Sequence, residues 1–286
     1  MSSEKSGTAN RGNMFKDKSK IIFFSDMDGT LLNADKTLSE ENLKAILRLR
    51  EAGGKFIVAT GRVIQATRHY FEPVGVDFPV ILCNGGMIYD CHENKVMWSA
   101  YLPEDKARTM IWELLRKFPE ACAEICTPDG IYDVQMNEYE RIHWEKGGFT
   151  AQIMDSLEAV PSGNWCKVLF AMPEDSIKPF AEYAQTLPYS SEVEYITSST
   201  IFHEMLPKDC SKGFAMKKLL ELYGEKDSVT VAMGDFNNDL EMLRNADFPA
   251  CPSNAIDEVK SACKMVCQSD CSHGAVAEVI EYILNS

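Results

Sequence analysis

Short apolar runs alternate with amphipathic stretches at both ends of this chain. Residues 20–25, centred on Ile21-Ile22-Phe23-Phe24-Ser25, predict a first strand. Thr37 and Glu40 have capping-box spacing and predict a helix that carries Leu43, Ile46, Leu47 and Leu49 and closes at Gly53-Gly54. Lys55-Phe56-Ile57-Val58-Ala59 predicts a second strand, and a short helix from Val63 is expected to stop before Pro73. Pro79-Val80-Ile81-Leu82-Cys83 predicts a third strand, ending at Asn84-Gly85-Gly86. The alternation returns late in the chain. Ser211 caps a helix through Leu222, residues 228–233 form a strand that ends at Gly234-Asp235, and a helix starts near Leu240. A short strand near 264–267 and a helix from about Ala275 finish the sequence. Strands apolar on both sides, alternating with helices, predict a doubly wound parallel sheet of Rossmann-like α/β type, covered on both faces.

The middle of the chain breaks this rhythm. Helix-like runs near 104–117 and 174–187 are joined by alternating stretches such as Lys167-Val168-Leu169-Phe170 and Glu192-Val193-Glu194-Tyr195-Ile196. That pattern predicts a smaller α+β domain over 101–205, inserted into a discontinuous core of 19–100 and 206–286. Residues 1–18 are polar, mixed in charge and without an apolar segment, and are expected to form a loose tail rather than a signal peptide.

Length and charge narrow the function. A chain of 286 residues can hold one large domain or two modest ones. No apolar run approaches the ~20 residues of a membrane span, so no membrane partner is expected. The net charge of −14 argues against non-specific nucleic-acid binding, but not against a phosphate ligand held by local charge. Cys83, Cys166 and Cys251 sit in or beside apolar runs, as buried free thiols do. Reduced cysteines and a cytoplasmic location are expected. Cys263, Cys267, Cys271 and His273 are close in sequence, but they lack the C-x-x-C pair that would favour zinc. A monomer or weak homodimer is expected.

Candidate chemistry gathers at strand ends. Asp26 and Asp28 follow the first strand, Thr60-Gly61-Arg62 the second, Asn84-Gly85 the third, and Asp235, Asn238 and Asp239 the strand at 228–233. In open parallel sheets the ligand crevice lies beyond these carboxyl ends. Lys212 falls in the first turn of a helix, where the backbone favours an anion. Taken singly, each has an ordinary explanation as a cap, a turn residue or a solvated charge. Asp235-x-Asn237-x-Asp239 suggests a calcium loop, but Leu240 stands where glycine is needed and Ala246 where the closing glutamate is needed. The signal lies in the ordered set. Two carboxylates spaced by two residues repel unless a cation or a reaction uses them, and oxygen-only ligands favour Mg²⁺.

That set resembles the haloacid dehalogenase-like superfamily. DMDGT at 26–30, Thr60 in VATGR, Lys212 in CSKGFAMKKL and GDFNNDLEML at 234–243 match its four motifs in order. The GDxxND form, the NGG at 84–86 and the position of the insert resemble the Cof-type branch with its type IIB cap. The resemblance implies a Mg²⁺-dependent phosphatase acting on a small-molecule phosphate ester, by default a sugar phosphate. Asp26 would be the nucleophile, Asp28 the acid and base, and Thr60 and Lys212 the holders of the phosphoryl group. Gly61, Arg62, Asn84, Gly85 and Asn238 would lie around the substrate. Asp26, Asp28 (through its carbonyl) and Asp235 would hold the metal, with Asn238 and Asp239 in support. Phosphate monoesters need acceleration of up to ~10²¹-fold, of which one general acid supplies roughly 10²–10⁴, so positioning and charge must supply the rest. Trp144, Trp165, His143 and His203 in the insert are further candidates, His203 as a structural residue. A phosphomutase on the same scaffold and a non-catalytic phosphometabolite-binding regulator are the alternatives. An ion-pumping ATPase lacks its membrane spans here, and a dinucleotide enzyme lacks its G-x-G-x-x-G.

Overall fold

The computed structural model describes residues 14–74, 79–225 and 227–286. In chain order the elements are β1 (Ile21–Ser25), α1 (Glu40–Glu51), β2 (Lys55–Val58), α2 (Arg68–Val74), β3 (Val80–Leu82), β4 (Met87–Asp90), β5 (Lys95–Ser99), α3 (Glu104–Lys117), β6 (Cys122–Cys126), β7 (Ile131–Val134), α4 (Glu138–Gly147), β8 (Gln152–Met154), β9 (Lys167–Ala171), α5 (Glu174–Ala184), β10 (Val193–Ser199), β11 (Phe202–Pro207), α6 (Lys212–Tyr223), β12 (Val229–Met233), α7 (Leu240–Asn245), β13 (Phe248–Cys251), α8 (Asp257–Ala262), β14 (Met265–Val266) and α9 (Ala275–Leu284).

A parallel sheet runs β14-β13-β12-β1-β2. Its edge is continued toward β3 by the Ala59–Ile81 bridge and by the Thr60 amide on the Ile81 carbonyl at 2.9 Å. Strand alternation gives the sheet two apolar faces. Ile21, Phe23, Val231 and Met233 pack with Ile46 and Leu49 of α1 and Val276 and Ile280 of α9. Ile22, Phe24 and Ile57 pack with Met216 and Leu219 of α6, Leu243 of α7 and Val259 of α8. This is the expected α/β architecture. Each buried apolar side chain contributes roughly 1.5–3 kcal/mol, so β1, buried along its whole length, is the strand around which the sheet is built.

The chain leaves this core after the β3-β4-β5 meander and forms a six-stranded sheet, β10-β11-β9-β6-β7-β8, antiparallel except for β7 and β8. One face of it is an ordinary core, in which Ala123, Ile125, Val168, Phe170 and Met205 pack under Ile111 and Leu114 of α3 and Phe180 of α5. The other face carries Glu124, Lys167 and Glu204, all buried.

Several details differ from the sequence expectation. The cap of α1 is Ser39, whose hydroxyl accepts from the Asn42 amide, while Thr37 belongs to the preceding turn with Asp35. Helix α2 continues through Pro73 to Val74. Of the stretch 1–18 expected to be a loose tail, residues 1–13 lie outside the described residues, and the rest is docked. Phe15 is buried with its ring 5.2 Å from that of Phe248, and Lys18 Nζ donates to the carbonyls of Phe15 and Ile283. β13 was not anticipated, because Pro249 breaks its four-residue sequence, yet it pairs with β12. All ten cysteines are free, and among the described residues no helix is long and apolar enough to cross a membrane.

His203 lies within β11 on the helix-covered face, between Tyr195 and Phe180. Its Nδ1 meets Thr197 Oγ1 at 3.0 Å, and its Nε2 has no partner. Burial pushes its pKa down to about 4, against the weaker pull of Glu204. A histidine kept neutral in the fold gains its proton more readily when unfolded. It therefore has no effect above pH 6.5 and destabilises progressively as pH falls from 6.5 toward 4, by up to about 3 kcal/mol. In His203→Phe, denaturant midpoints measured over this range should lose that share of their acid slope.

Candidate active site

The expected strand-end residues converge on one crevice. Asp26 is the first residue beyond β1, and its amide donates to the Met233 carbonyl at the end of β12, 2.9 Å away. The two central strands therefore end in register, and the turns that follow them face each other. In the β12 turn, Asp239 Oδ2 accepts from the amides of Asp235 and Phe236 at 2.9 and 3.1 Å, which fixes Asp235 toward β1. Thr30 Oγ1 donates to Asp235 Oδ1 at 3.2 Å. Gly29, with φ of +85°, is required here, since a Cβ would lie 2.3 Å from Asp235 Oδ2.

Lys212 opens α6, which Ser211 caps as predicted. Its ammonium is wholly buried and donates to Asp26 Oδ1 at 2.5 Å and Asp239 Oδ1 at 2.6 Å. Its pKa is held above the ordinary lysine value by these two carboxylates, which outweigh its burial. Lys212 and Asp239 thus sit beneath Asp26, while the cavity above, about 530 Å³, is lined by Asp26, Asp28, Thr60, Gly61, Arg62, Asn84, Asp235 and Asn238. Both oxygens of Asp239 are engaged within the protein, and Lys212 touches the expected nucleophile rather than the cavity surface. Gly85 also lies off the cavity lining. It packs where a Cβ would meet the Ser211 carbonyl at 2.0 Å, at a φ of +98°.

Asp28 lies at the cavity wall in a two-pronged pair with Arg62, whose Nε and Nη2 donate at 2.7 Å each, and Lys36 Nζ adds a third contact at 2.7 Å. Although its burial works the other way, these cations hold the carboxyl well below the usual range. Arg62, expected near the substrate, is thus occupied with Asp28. Thr60 Oγ1 accepts from the Arg62 amide at 3.1 Å. Asn84 adopts a left-handed backbone, accepts from Asn238 Nδ2 and donates to Glu204 Oε2, both at 3.0 Å. Glu204 also receives Lys167 Nζ at 3.0 Å. Sequence reasoning missed Glu204, Lys167, Glu124 and Lys36 as cavity residues. The signal available for Glu124, Lys167 and Glu204 was a charge set among apolar residues in β6, β9 and β11, while Lys36, in a turn, gave none. Of the insert candidates, His143 lines the cavity, and Trp165 is fully buried with Nε1 on the Pro161 carbonyl. Trp144 is not among the lining residues.

The acidic cluster fits a hard divalent cation. Asp26, Asp235 and Asp239 offer oxygens within 4.8 Å of one another, and Asp26 Oδ2 is buried without a partner. Burial pushes the Asp26 carboxyl up, Lys212 opposes this, and the neighbouring aspartates add to it. Asp235 is pushed up to about 7, first by burial and then by Asp239. Lys212 alone does not balance this charge, and the oxygen-only donor set suits Mg²⁺. Cys263, Cys267, Cys271 and His273 make no such group among the described residues, and His273 Nδ1 pairs with Asp270 at 2.6 Å.

A parallel sheet bearing this ordered constellation at its strand ends, covered by a second mixed sheet, defines a class. Residues 23–280 match the model of the haloacid dehalogenase-like hydrolase family. The chain belongs to that family, in its Cof-type branch. Among its relatives, the pyridoxal phosphate phosphatase YbhA of Escherichia coli is 26% identical, over 84% of this chain and 90% of that protein. The 5-amino-6-(5-phospho-D-ribitylamino)uracil phosphatase YcsE of Bacillus subtilis is 27% identical, over 91% of this chain and 94% of that one. The solved structure of the HAD subclass IIB sugar phosphatase BT4131 superposes with a TM-score of 0.79 at 19% identity, covering 92% of this chain and 98% of that chain, and shows the shared fold.

Lys212→Met leaves Asp26 and Asp239 buried and facing each other without their cation. Removing one member of such a buried ion set costs about 3–5 kcal/mol. Denaturant unfolding of the metal-free variant should show that loss, and added Mg²⁺ should restore part of it.

Proposed function

We propose that the protein is a magnesium-dependent phosphatase that releases phosphate from a small phosphorylated metabolite through an aspartyl-phosphate on Asp26. The observation that carries this reading is the Lys212 ammonium clamped between Asp26 and Asp239, which leaves the second oxygen of Asp26, a residue of the cavity lining, buried and unpartnered. A carboxylate fixed through one oxygen by a buried cation presents the other in a single orientation. That is the positioning an in-line nucleophile needs.

Each residue then has a task. Asp26 attacks phosphorus and carries the phosphoryl group. Asp28 moves the proton, donating to the leaving oxygen and later accepting from the attacking water. The Arg62 and Lys36 contacts favour its charged form, so it serves as a base in this arrangement, and taking up a proton requires the Arg62 pair to loosen as substrate enters. Thr60 holds a phosphoryl oxygen at the crevice floor. Lys212 keeps Asp26 oriented, and Asp239 keeps Lys212 and the Asp235 turn in place. Asp26, the Asp28 carbonyl and Asp235, with Asn238 beside them, would hold Mg²⁺, which when bound supplies charge neutralisation between the carboxylates and the phosphate.

The six-stranded sheet closes the far side of the cavity with Glu124, Lys167, Leu169 and Glu204, so the leaving group meets charged as well as apolar surface there. The two curated relatives are named for pyridoxal phosphate and for a phosphoribitylamino-uracil. The test panel therefore sets these two against sugar phosphates. Inorganic phosphate should appear with Mg²⁺ and vanish with EDTA. Asp26→Asn should lower kcat by at least about 10³-fold, with the fold retained by circular dichroism. Near-full turnover in Asp26→Asn would remove the nucleophile assignment. Transfer of phosphate back to a sugar without release to water would identify a mutase instead.

A further inference from the structure

A second titratable cluster lies in the six-stranded sheet, outside the machinery above. Alternation along β6 turns Glu124 away from the apolar core on α3 and α5, and the β6–β7 ladder sets Asp133 directly opposite it. Helix α4 contributes Glu140 and His143, one turn apart. Glu124, Asp133 and Glu140 are at most 2% exposed. An ordinary structural role would pair these groups off, yet Glu140 Oε2 and both oxygens of Asp133 are buried with no hydrogen-bond partner.

The distances carry the argument. His143 Nδ1 stands 3.2 Å from Glu140 Oε1 and 3.5 Å from Glu124 Oε2. Another histidine–carboxylate pair, His273–Asp270, closes to 2.6 Å. The Glu140 contact is a hydrogen bond at the long end of the ordinary range, and the Glu124 contact lies beyond it. Ligand atoms about 2.0–2.1 Å from a tetrahedral ion stand about 3.4 Å apart, the spacing these contacts bracket. The ring is also fixed for such a role. Phe149 and Phe202 flank it with centroids at 4.9 and 4.8 Å, and Cys126 Sγ donates to the other Glu124 oxygen at 3.2 Å.

We propose that Glu124, Glu140 and His143 form a second metal site, separate from the aspartate cluster, for a divalent first-row transition ion. Two carboxylates balance the ion's charge, and the imidazole selects against Mg²⁺ and Ca²⁺. Asp133, directly opposite Glu124 across the β6–β7 ladder, adds a third buried carboxyl group beside the site. Glu124 and His143 line the cavity, which gives the ion an entry path and sets it on the wall that faces the leaving group. This assignment stands independently of the phosphatase reading.

The test uses the full chain with the aspartate site disabled, as Asp26→Asn/Asp235→Asn, dialysed against EDTA and titrated with Mn²⁺ while free Mn²⁺ is followed by its paramagnetic signal. Co²⁺ absorption in parallel reports any thiolate ligand among the ten cysteines. One Mn²⁺ per chain is expected, with a Co²⁺ spectrum free of thiolate charge transfer. Glu140→Gln, which keeps the side-chain shape, and His143→Gln should each weaken binding at least tenfold in protein that melts cooperatively. Absence of stoichiometric binding, binding indifferent to both substitutions, or a thiolate spectrum would overturn the proposal.

Discussion

The buried ammonium of Lys212 is the interaction on which the site depends. Three aspartates from two different turns are brought together at the ends of β1 and β12, and without a cation among them they would repel. Lys212 reaches them because Ser211 starts α6 directly beneath the crevice, so a helix cap, a lysine and two strand-end turns form one electrostatic unit. The same contact that makes the fold tolerable orients Asp26. Stability and the orientation of Asp26 are served by one ion set, and neither can be adjusted without the other.

The remaining geometry follows from closing this unit against the second sheet. Asn84 receives Asn238 from the fourth-motif turn and donates to Glu204 in β11, which also holds Lys167 of β9. A continuous hydrogen-bonded path therefore joins the aspartate turn to the sheet that covers the cavity. Gly61 belongs to this arrangement, since a Cβ there would press on the Asn84 amide at 2.9 Å. The polar face of the six-stranded sheet is buried only because this path and the cavity satisfy part of it.

Much of this was legible in the sequence because two strong signals coincide there. Fully buried parallel strands are apolar on both sides, and their carboxyl ends carry the chemistry, so Asp26, Thr60, Asn84 and Asp235 could be placed from periodicity and position. The helix at Lys212 was readable from its serine cap. Less was visible in the middle of the chain. Helix α4 buries only Glu140 and Gly147, so it has no apolar stripe to detect. Strands β6 and β7 alternate apolar residues with buried carboxylates, which reads as a solvated surface when partners are unknown. The pairing of Arg62 with Asp28 was likewise invisible, because it depends on how two loops from different strands meet.

The place of β1 has a consequence for how the molecule is made. Its neighbours are β2, close in sequence, and β12, at the far end of the chain. While a ribosome is still adding the intervening residues, one side of Ile21-Ile22-Phe23-Phe24 has a backbone edge with no partner and apolar surface awaiting α6 to α8. Asp26 waits with it, since Lys212 and Asp235 are also translated late. The emerging chain therefore holds this edge of β1 open until β12 has been made.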